Sequence, residues 1–312
     1  MKHICITVAA LMSLMLLAMP SKAQSARTFV SGQGKDKGAC TQAAPCRTFT
    51  QAMQQTIAGG VVIAVDSASY APFTINKAIT VEAPMGAAVN VTSGDGIEIS
   101  AGTNDVVILR GLTVNNDGSS GNGIGVNSGG TVHIERCVAN GFSGFGMAGI
   151  SITGPGTVLV KDTIARNNYN GIGANMGTSA TATVSLTLDE LHLDANRIGL
   201  FVQTQAGQAV NGSIHNSSAS ANADVGVLIN SNAGGNISLD VESCLFTNTG
   251  IGMVTESAGT GAATAYISFC SITHNTINGF SISGTGAIFS RGNNTLADNA
   301  QNIGTLTSLA GQ

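Results

Sequence analysis

A glycine followed by an apolar residue recurs along this chain at intervals of 22 to 28 residues, and this repeat limits what the chain can fold into. The repeated glycines are Gly96, Gly123, Gly149, Gly171, Gly199, Gly226, Gly252 and Gly279. Between successive glycines lie an alternating apolar segment, such as Thr-Val-His-Ile at residues 131–134, a second short apolar segment and a turn that contains Asn. Three short strands cannot bury their apolar face alone, so the units must stack on one another. The sequence therefore predicts an all-β solenoid with three strands per coil.

The first 23 residues have the pattern of an export signal. Lys2 and His3 precede an apolar run over residues 4–19, and Ala23 ends a small-residue cleavage site before Gln24. The alternative is an uncleaved anchor, but the run is shorter than the roughly 20 residues of a transmembrane helix. We therefore expect a secreted or periplasmic protein with no membrane span after signal cleavage.

Charged residues make up only 10% of the chain, and 17 acidic residues outnumber 13 basic ones. Removal of Lys2 and Lys22 with the signal leaves 11 basic residues against 17 acidic ones, a formal charge of −6. Nucleic acid is excluded as a partner because phosphate binding needs clustered Lys and Arg. The low charge and the 41 glycines also disfavour a compact α/β enzyme, whose helices need charged faces.

The five cysteines that follow the signal fall into two groups. Cys40 and Cys46 are six residues apart, so in an oxidising compartment we expect them to form a disulfide. Cys137, Cys244 and Cys270 lie within the repeats. Cys137 and Cys244 occupy the same repeat position four coils apart, roughly 19 Å at about 4.8 Å per strand, which is too far to bridge. We interpret these three as small core residues rather than metal ligands, and their oxidation state stays open.

Alignment of the repeats on their first strand predicts which side chains point inward. One inward column contains Ile108, Ile134, Val160, Leu188, Ile214, Val241 and Phe269. Period-two alternation places the residues two positions earlier on the same side. The turns before the repeated glycines from Gly149 to Gly279 carry Asn140, Asn167, Asn196, Asn222, Asn248 and Asn275. Stacked amides can hydrogen-bond to one another and to the turn backbone, which favours a structural role over a polar ligand site.

The two ends of the solenoid differ in how they are covered. We expect an amphipathic helix over residues 48–58 that covers the first coil and begins at a capping box formed by Thr48 and Gln51. Its apolar face consists of Phe49, Ala52, Met53 and Ile57. No comparable cover follows Gly279, so the last coil is expected to be covered poorly or by another chain, which would allow self-association.

Three strands per coil, an Asn turn before the third strand and variable connectors before the first resemble the right-handed parallel β-helix of the pectin lyase-like superfamily. Arg27-Thr-Phe-Val-Ser-Gly, the segment from Cys40 to Cys46 and Arg47-Thr-Phe-Thr-Gln-Ala resemble the start of a group of exported bacterial β-helix repeat proteins. The resemblance implies a single-stranded right-handed parallel β-helix with an N-terminal capping α-helix. It divides the chain into a signal peptide at 1–23, an N-terminal segment with the capping helix at 24–60, the β-helix at 61–304 and a C-terminal tail at 305–312.

The resemblance does not extend to catalytic motifs. Polygalacturonase-like enzymes of the superfamily carry Asn-Thr-Asp, paired Asp, Gly-His-Gly and Arg-Ile-Lys motifs, and none of them occurs in this sequence. Pectate lyase-like enzymes use an acidic calcium cluster with an Arg or Lys base on the face of the first sheet. Membership in the superfamily is therefore specific for the fold and not for an activity.

The outer face of the first sheet is where the superfamily places its clefts. The predicted outward row contains Leu109, Glu135, Lys161, Asp189, His215, Glu242 and Cys270. Asp189, His215 and Glu242 would stand about 4.8 Å apart, an arrangement that could orient the imidazole as a base or hold a cation. The candidate catalytic residues are Lys161, Asp189, His215 and Glu242, and the candidate ligand-binding residues are Asp162, Glu190, Asp240 and Tyr169. Alternating charges along a sheet also avoid repulsion, so a purely structural ladder is the alternative.

The leading interpretation is an exported β-helix scaffold, or a surface or envelope protein, that binds polysaccharide or another cell-envelope component without catalysis, metal or cofactor. The alternative is a divergent polysaccharide lyase or glycoside hydrolase that acts on the outer face of the first sheet. Calcium enters only under the lyase interpretation.

Overall fold

The computed structural model describes residues 24–84, 86–177 and 181–309, and the predicted signal peptide lies outside these residues. The described chain winds into a parallel β-helix in which three sheets run along the molecule. Neighbouring strands of each sheet are parallel and come from successive coils. The all-β solenoid predicted from the glycine repeat is therefore confirmed.

We number the three sheets by the order of their strands within a coil. The first sheet has 12 described strands: Ser25–Val30, Thr56–Ala64, Ile79–Glu82, Val106–Arg110, Thr131–Glu135, Gly156–Lys161, Ala182–Asp189, Gln208–His215, Asn236–Glu242, Ala262–Ser268, Ala287–Ser290 and Thr307–Ser308. The second has 10 within the same part of the chain: Ser69–Tyr70, Ala88–Val91, Thr113–Asn116, Val138–Asn140, Ile164–Arg166, His192–Asp194, Ser218–Ser220, Leu245–Thr247, Ser271–Thr273 and Thr295–Ala297. The third has 9 across the described ranges: Phe73–Ile75, Ile97–Ser100, Ile124–Ser128, Ala148–Ile152, Asn170–Asn175, Ile198–Thr204, Val225–Asn232, Ile251–Ala258 and Asn278–Gly284.

The core is a set of apolar columns that run along the axis inside the three sheets. In the first sheet the register aligns Leu109, Ile134, Val160, Leu188, Ile214, Val241 and Ile267. Each of these side chains is at most 2% exposed. Full burial of such a side chain stabilises the fold by about 1.5–3 kcal/mol relative to exposure. Because neighbours in the column belong to different coils, this burial holds the coils together.

The predicted inward column is correct from Ile134 to Val241 and wrong by one residue in the preceding coil. Ile134 pairs with Leu109, not with Ile108. Residues 106–109 are all apolar, so alternation cannot set the phase of this strand. The charge of Arg110 sets the phase of this strand, because burial of Leu109 keeps the Arg110 guanidinium on the outer face.

In the coil after Val241 the prediction is wrong by two residues. Val241 pairs with Ile267, whereas Phe269 lies on the following bend with a φ of 53° and a 64% exposed side chain. Because Phe269 is apolar, it fits the alternating pattern of the strand, but the strand ends at residue 268. The same shift moves Cys270 from the predicted outward row into the interior, where it is 2% exposed, at the repeat position that Cys244 occupies one coil earlier.

The repeated glycines mark places where the backbones of successive coils approach closely. A Cβ atom on Gly171 would lie 2.5 Å from the carbonyl oxygen of Gly199, and one on Gly199 would lie 2.5 Å from that of Gly226. Real Cβ atoms do not approach oxygen this closely, so a side chain at these positions would push the coils apart. The recurrence of glycine therefore follows from close contact between coils.

An interior ladder of polar side chains runs along the turn before the third sheet. It consists of Asn168, Asn196, Asn222, Thr249, Asn275 and Asn299. Asn196 shows the pattern: its Oδ1 accepts from the backbone N–H of Asn168 at 3.0 Å, and its Nδ2 donates to the carbonyl of Ala165 at 2.9 Å. A buried group left without its partner costs about 1–3 kcal/mol, so this ladder fixes both the turn and the spacing of the coils.

The predicted Asn ladder is partly correct. Its correct members are Asn196, Asn222 and Asn275. Asn167 and Asn248 lie one residue before the ladder, with φ values of 57° and 54°. Asn140 belongs to a second, outer ladder, in which its Nδ2 donates to Asn115 Oδ1 at 3.4 Å. An Asn at the bend adopts a positive φ, whereas an Asn in the ladder hydrogen-bonds to the neighbouring coil. Where two such residues are adjacent in sequence, as in Asn167-Asn168 and Asn248-Thr249, the sequence does not reveal which one points inward.

The helix within the described residues spans Phe49–Gln55 and is shorter than the predicted 48–58. Thr48 caps it, since its Oγ1 accepts the N–H of Gln51 at 3.2 Å. The chain becomes a strand at Thr56, so Ile57 is 41% exposed instead of lying on the helical face. The buried face consists of Phe49, Ala52 and Met53, as predicted. Its role as a cover of the first coil stays a prediction.

No helix among the described residues combines the length and the apolar character needed to cross a bilayer.

The predicted disulfide between Cys40 and Cys46 is confirmed, and the predicted interior position of the other three cysteines is also confirmed. Cys40 and Cys46 form a disulfide. Cys137, Cys244 and Cys270 are free thiols in the interior. They occupy the buried position at which the chain passes from the first sheet to the second.

We predict that Gly171→Ala destabilises the fold because the added Cβ would lie 2.5 Å from a carbonyl oxygen of the next coil. Overpacking of this kind costs about 1–3 kcal/mol. Gly173→Ala on the same strand is the matched control, because a Cβ there meets nothing closer than 3.6 Å. Urea unfolding followed by far-UV circular dichroism measures both free energies. Equal unfolding midpoints for the two variants would contradict the close-contact explanation.

Candidate functional site

The candidate row lies on the outer face of the first sheet, one residue after the inward column. The corrected register gives Glu82, Arg110, Glu135, Lys161, Asp189, His215, Glu242 and Ser268. Leu109 and Cys270, which were predicted in this row, lie inside, and Arg110 and Ser268 take their places. The structure brings the four candidate catalytic residues together on successive coils: Lys161, Asp189, His215 and Glu242.

The N-terminal half of the row is a ladder of opposite charges. Arg110 Nε lies 2.8 Å from Glu135 Oε2, and Arg110 Nη1 lies 3.2 Å from Glu82 Oε1. The hydrogen bond from Arg110 lowers the pKa of Glu135, and the same bond raises the pKa of Arg110. Alternating signs on neighbouring strands replace repulsion with attraction. This part of the row therefore stabilises the sheet.

Lys161 and Asn216 occupy both oxygens of Asp189. Lys161 Nζ lies 2.5 Å from Oδ2, and Asn216 Nδ2 donates to Oδ1 at 3.1 Å. The hydrogen bond from Lys161 holds the pKa of Asp189 below its ordinary value, and the same bond raises the pKa of Lys161. A carboxylate with a lowered pKa is a weak base, and a lysine with a raised pKa stays protonated, so the pair is poorly suited to proton transfer.

His215 and Glu242 are neighbours without a hydrogen bond between them. The distance from His215 Nδ1 to Glu242 Oε2 is 3.7 Å, beyond the roughly 3.2 Å limit of a good hydrogen bond. The two side chains are 36% and 49% exposed, so water competes for both. A catalytic histidine is normally oriented by a partner on its second ring nitrogen. Glu242 does not provide that partner in this geometry, and Asp189 on the other side is held by Lys161 and Asn216.

Three of the predicted ligand residues lie close to the row. Glu190 Oε2 is 3.5 Å from Lys161 Nζ. Asp162 occupies the equivalent bend one coil earlier, and both bend residues have a positive φ, 55° for Glu190 and 47° for Asp162. Asp240 lies two residues before Glu242 on the same strand, where its side chain is exposed.

Tyr169 belongs to a separate cluster on the turn before the third sheet. The guanidinium of Arg197 lies 4.9 Å from its ring centroid, and Phe145 packs edge-on at 5.2 Å. Arg197 also pairs with Asp224. The phenolic oxygen of Tyr169 accepts from Arg197 Nη1 at 3.2 Å. The structure therefore does not bring Tyr169 to the candidate row.

A pair of stacked rings on the outer face of the first sheet was not predicted. The centroids of Tyr266 and Phe289 are 5.1 Å apart, with an interplanar angle of 16°. Both rings point outward because Ile267 and Ile288, their neighbours in sequence, are fully buried. The alternation around Phe289 was the available signal, but the repeat weakens after Gly279 and conceals the pairing of these two strands.

Two adjoining shallow depressions, each with a volume of about 500 Å³, lie on this face and share His215 and Glu242. We call their combined surface the first-sheet groove. Its main lining residues are Lys161, Asp189, His215, Asp240, Glu242, Tyr266 and Arg291. The groove therefore joins the C-terminal half of the charged row to the half-buried, outward-facing Tyr266 ring.

The groove does not fit a calcium ion. Calcium takes six to eight oxygen ligands, whereas both oxygens of Asp189 are engaged by Lys161 and Asn216. Glu242 stands two coils away, about 9.6 Å along the axis, with His215 between them. No cluster of three or more His, Cys, Asp or Glu residues suited to a metal ion occurs among the described residues.

We predict that the Lys161–Asp189 pair stabilises the protein at neutral pH and not in strong acid. The pKa of Asp189 is lowered from 3.8, so its contribution is present above that value and is lost as the pH falls through the lowered pKa. The side chains are 44% and 21% exposed, so solvent screens the pair and keeps its contribution small. Lys161→Met should therefore destabilise the protein at neutral pH only, and an NMR titration should show a higher pKa for Asp189. An unchanged Asp189 pKa in this variant would contradict the assignment.

No family model and no curated protein matches this sequence. Among solved structures, that of pectate lyase Pel9A is similar to this chain, with a TM-score of 0.64 and 15% sequence identity over 93% of this chain and 79% of that one. At this identity the similarity shows the fold and not the activity. Together with the three parallel sheets, it shows that the fold of this chain is a right-handed parallel β-helix, as predicted.

Proposed function

We propose that this protein is an exported β-helix scaffold of the cell surface or envelope that binds polysaccharide in the first-sheet groove without cleaving it. The observation that carries the proposal is the Tyr266 ring, which lines the groove together with the carboxylates of Asp240 and Glu242 and stacks on Phe289 of the next coil. The similar solved structure is that of a pectate lyase, which gives a precedent for a polysaccharide ligand on this fold.

The two rings are stacked on each other, and the outward part of the stack forms an apolar patch that can contact the C–H groups of sugar rings. Tyr266 and Phe289 lie on neighbouring coils and are directly paired in register. Their surface therefore extends along the axis, and an extended glycan lying in that direction would contact both. Aromatic side chains offer large, rigid contact areas, and the Tyr266 hydroxyl adds a hydrogen-bonding group.

Polar groups beside the rings supply the contacts that sugar hydroxyls need. Asp240 is paired in register with Tyr266, and Glu242 is two residues further along the same strand. His215 and Arg291 also line this part of the groove. An apolar surface with a few convergent polar groups is typical of a ligand site. The carboxylates accept from hydroxyls and the guanidinium donates to them.

The same geometry argues for binding rather than catalysis. Asp189 and Lys161 neutralise each other at 2.5 Å, and His215 lies 3.7 Å from Glu242 without an orienting hydrogen bond. A hydrolase needs a positioned acid and base, and a lyase needs a base with a stabiliser for the carbanion. The divergent lyase or hydrolase is nevertheless a definite alternative, because His215 is exposed in both depressions of the groove.

We predict that Tyr266→Ala weakens polysaccharide binding by about tenfold, the equivalent of about 1.4 kcal/mol of lost ring contact. Tyr169→Ala is the matched control, because Tyr169 is also a surface ring packed against a phenylalanine but lies outside the groove. Affinity electrophoresis or calorimetry with the polysaccharide that wild type binds best measures the effect, with far-UV circular dichroism to confirm folding. Equal losses in the two variants would contradict the proposed site.

A panel of neutral and acidic polysaccharides, with and without calcium, distinguishes the two functions. Each member is assayed for binding and for release of reducing or unsaturated sugars. Binding without product supports the proposal. Product release that is abolished by His215→Ala but not by Tyr169→Ala would replace it with the enzymatic alternative, and the absence of binding to any member would overturn both.

A further inference from the structure

Among the described residues there are three free cysteines, and two of them face each other across successive coils. Glu242 is paired in register with Ser268, and Leu245 is paired with Ser271. These pairs bracket Cys244 and Cys270, which therefore occupy equivalent positions on adjacent coils. Both point into the interior, where they are 3% and 2% exposed.

The surroundings of the two thiols are nearly the same. Cys244 Sγ lies 3.2 Å from the carbonyl oxygen of Glu242, and Cys270 Sγ lies 3.3 Å from that of Ser268, two residues earlier in each case. Each sulfur also approaches the previous coil: Cys244 Sγ is 3.5 Å from Ile214 O, and Cys270 Sγ is 3.4 Å from Val241 O. The side chains are therefore parallel and stacked along the axis.

The spacing of the coils suits a covalent bond between these residues. Adjacent parallel strands lie about 4.8 Å apart, and disulfides form between Cα atoms separated by about 4.4–6.8 Å. The chain already contains one disulfide, between Cys40 and Cys46, with a Cα–Cα distance of 4.8 Å. The geometry points to a second disulfide, between Cys244 and Cys270, which forms when the folded protein reacts with a small disulfide oxidant and ties two coils together beside the first-sheet groove.

The reaction is thiol–disulfide exchange. The thiolate of Cys270 attacks one sulfur of the oxidant and forms a mixed disulfide, releasing the first small thiol. The thiolate of Cys244 then attacks the sulfur of Cys270 and displaces the second. Two protons pass from the cysteines to the two released thiols. The two cysteines lose two electrons in total, and these electrons reduce the S–S bond of the oxidant.

The hydrogen bond between the two thiols supports this order of events. It lowers the pKa of Cys270 and raises the pKa of Cys244. Cys270 is therefore the thiol that more readily supplies the attacking thiolate. Because both sulfurs are buried, the oxidant reaches them when the coils at the C-terminal end open locally.

Cys137 provides an internal control. It occupies the same repeat position, but its neighbours on adjacent coils are Leu112 and Thr163 rather than cysteine. Burial raises the pKa of Cys137 to about 11, so it is also a poor thiolate. It should stay reduced under conditions that oxidise the other pair.

The test is peptide mapping of folded protein treated with oxidised glutathione. After alkylation of the remaining thiols in denaturant, cleavage at glutamate separates Cys244 in peptide 243–256 from Cys270 in peptide 257–312, and Cys137 falls in peptide 136–190. We expect peptides 243–256 and 257–312 to be joined before reduction and separate after it, with peptide 136–190 fully alkylated. The joined form should also unfold at a higher denaturant concentration than the reduced form.

Two variants complete the experiment. Cys137→Ser should form the same joined peptides as wild type, and Cys244→Ser should leave Cys270 free for alkylation or joined only to glutathione. If Cys244→Ser fails to fold, the wild-type map decides alone. Full alkylation of both Cys244 and Cys270 after oxidation of the folded protein, or pairing of either with Cys137, would overturn the inference.

Discussion

Close contact between the backbones of successive coils is the constraint on which the rest of this structure depends. At the repeated glycines a Cβ would lie within 2.4–2.9 Å of an atom of the next coil. The interior Asn ladder then joins adjacent turns by hydrogen bonds through Asn168, Asn196 and Asn222. Close contact and hydrogen bonds act at the same turn, so each coil is held at one height and in one register relative to its neighbours.

A fixed register makes equivalent residues neighbours, and the chemistry of each position then decides what the stack does. Apolar residues form a continuous core, and amides form ladders. Charges alternate, as in the pairing of Arg110 with Glu135 and of Lys161 with Asp189. Rings stack, and two thiols face each other. The first-sheet groove arises where the alternation stops, because His215 and Glu242 lack the tight ion pair that neutralises the earlier coils.

The fold could be predicted from sequence because its signal is repeated in almost every coil. The inward column was correct wherever charged or polar residues flank the apolar ones, as at Ile134 and Leu188, and wrong where residues 106–109 are uniformly apolar and where Phe269 follows a strand end. Adjacency of His215 and Glu242 followed from the repeat alone. The hydrogen bonds within the row could not be predicted in this way, because the spacing of the repeats does not reveal that Asn216 and Lys161 bind the two oxygens of Asp189. The Tyr266–Phe289 stack was not predicted, because the pairing of these two strands lies where the sequence repeat weakens at the C-terminal end.

The most direct measurement of this register is cross-linking between engineered cysteines on the outer face, in a background in which Cys137, Cys244 and Cys270 are serine. His215→Cys with Glu242→Cys places thiols on adjacent coils, about 4.8 Å apart, whereas Asp189→Cys with Glu242→Cys places them two coils apart, about 9.6 Å. Mild oxidation should form a disulfide in the first variant and not in the second. Efficient bridging between 189 and 242, or its absence between 215 and 242 in a folded protein, would contradict the proposed stacking of the coils.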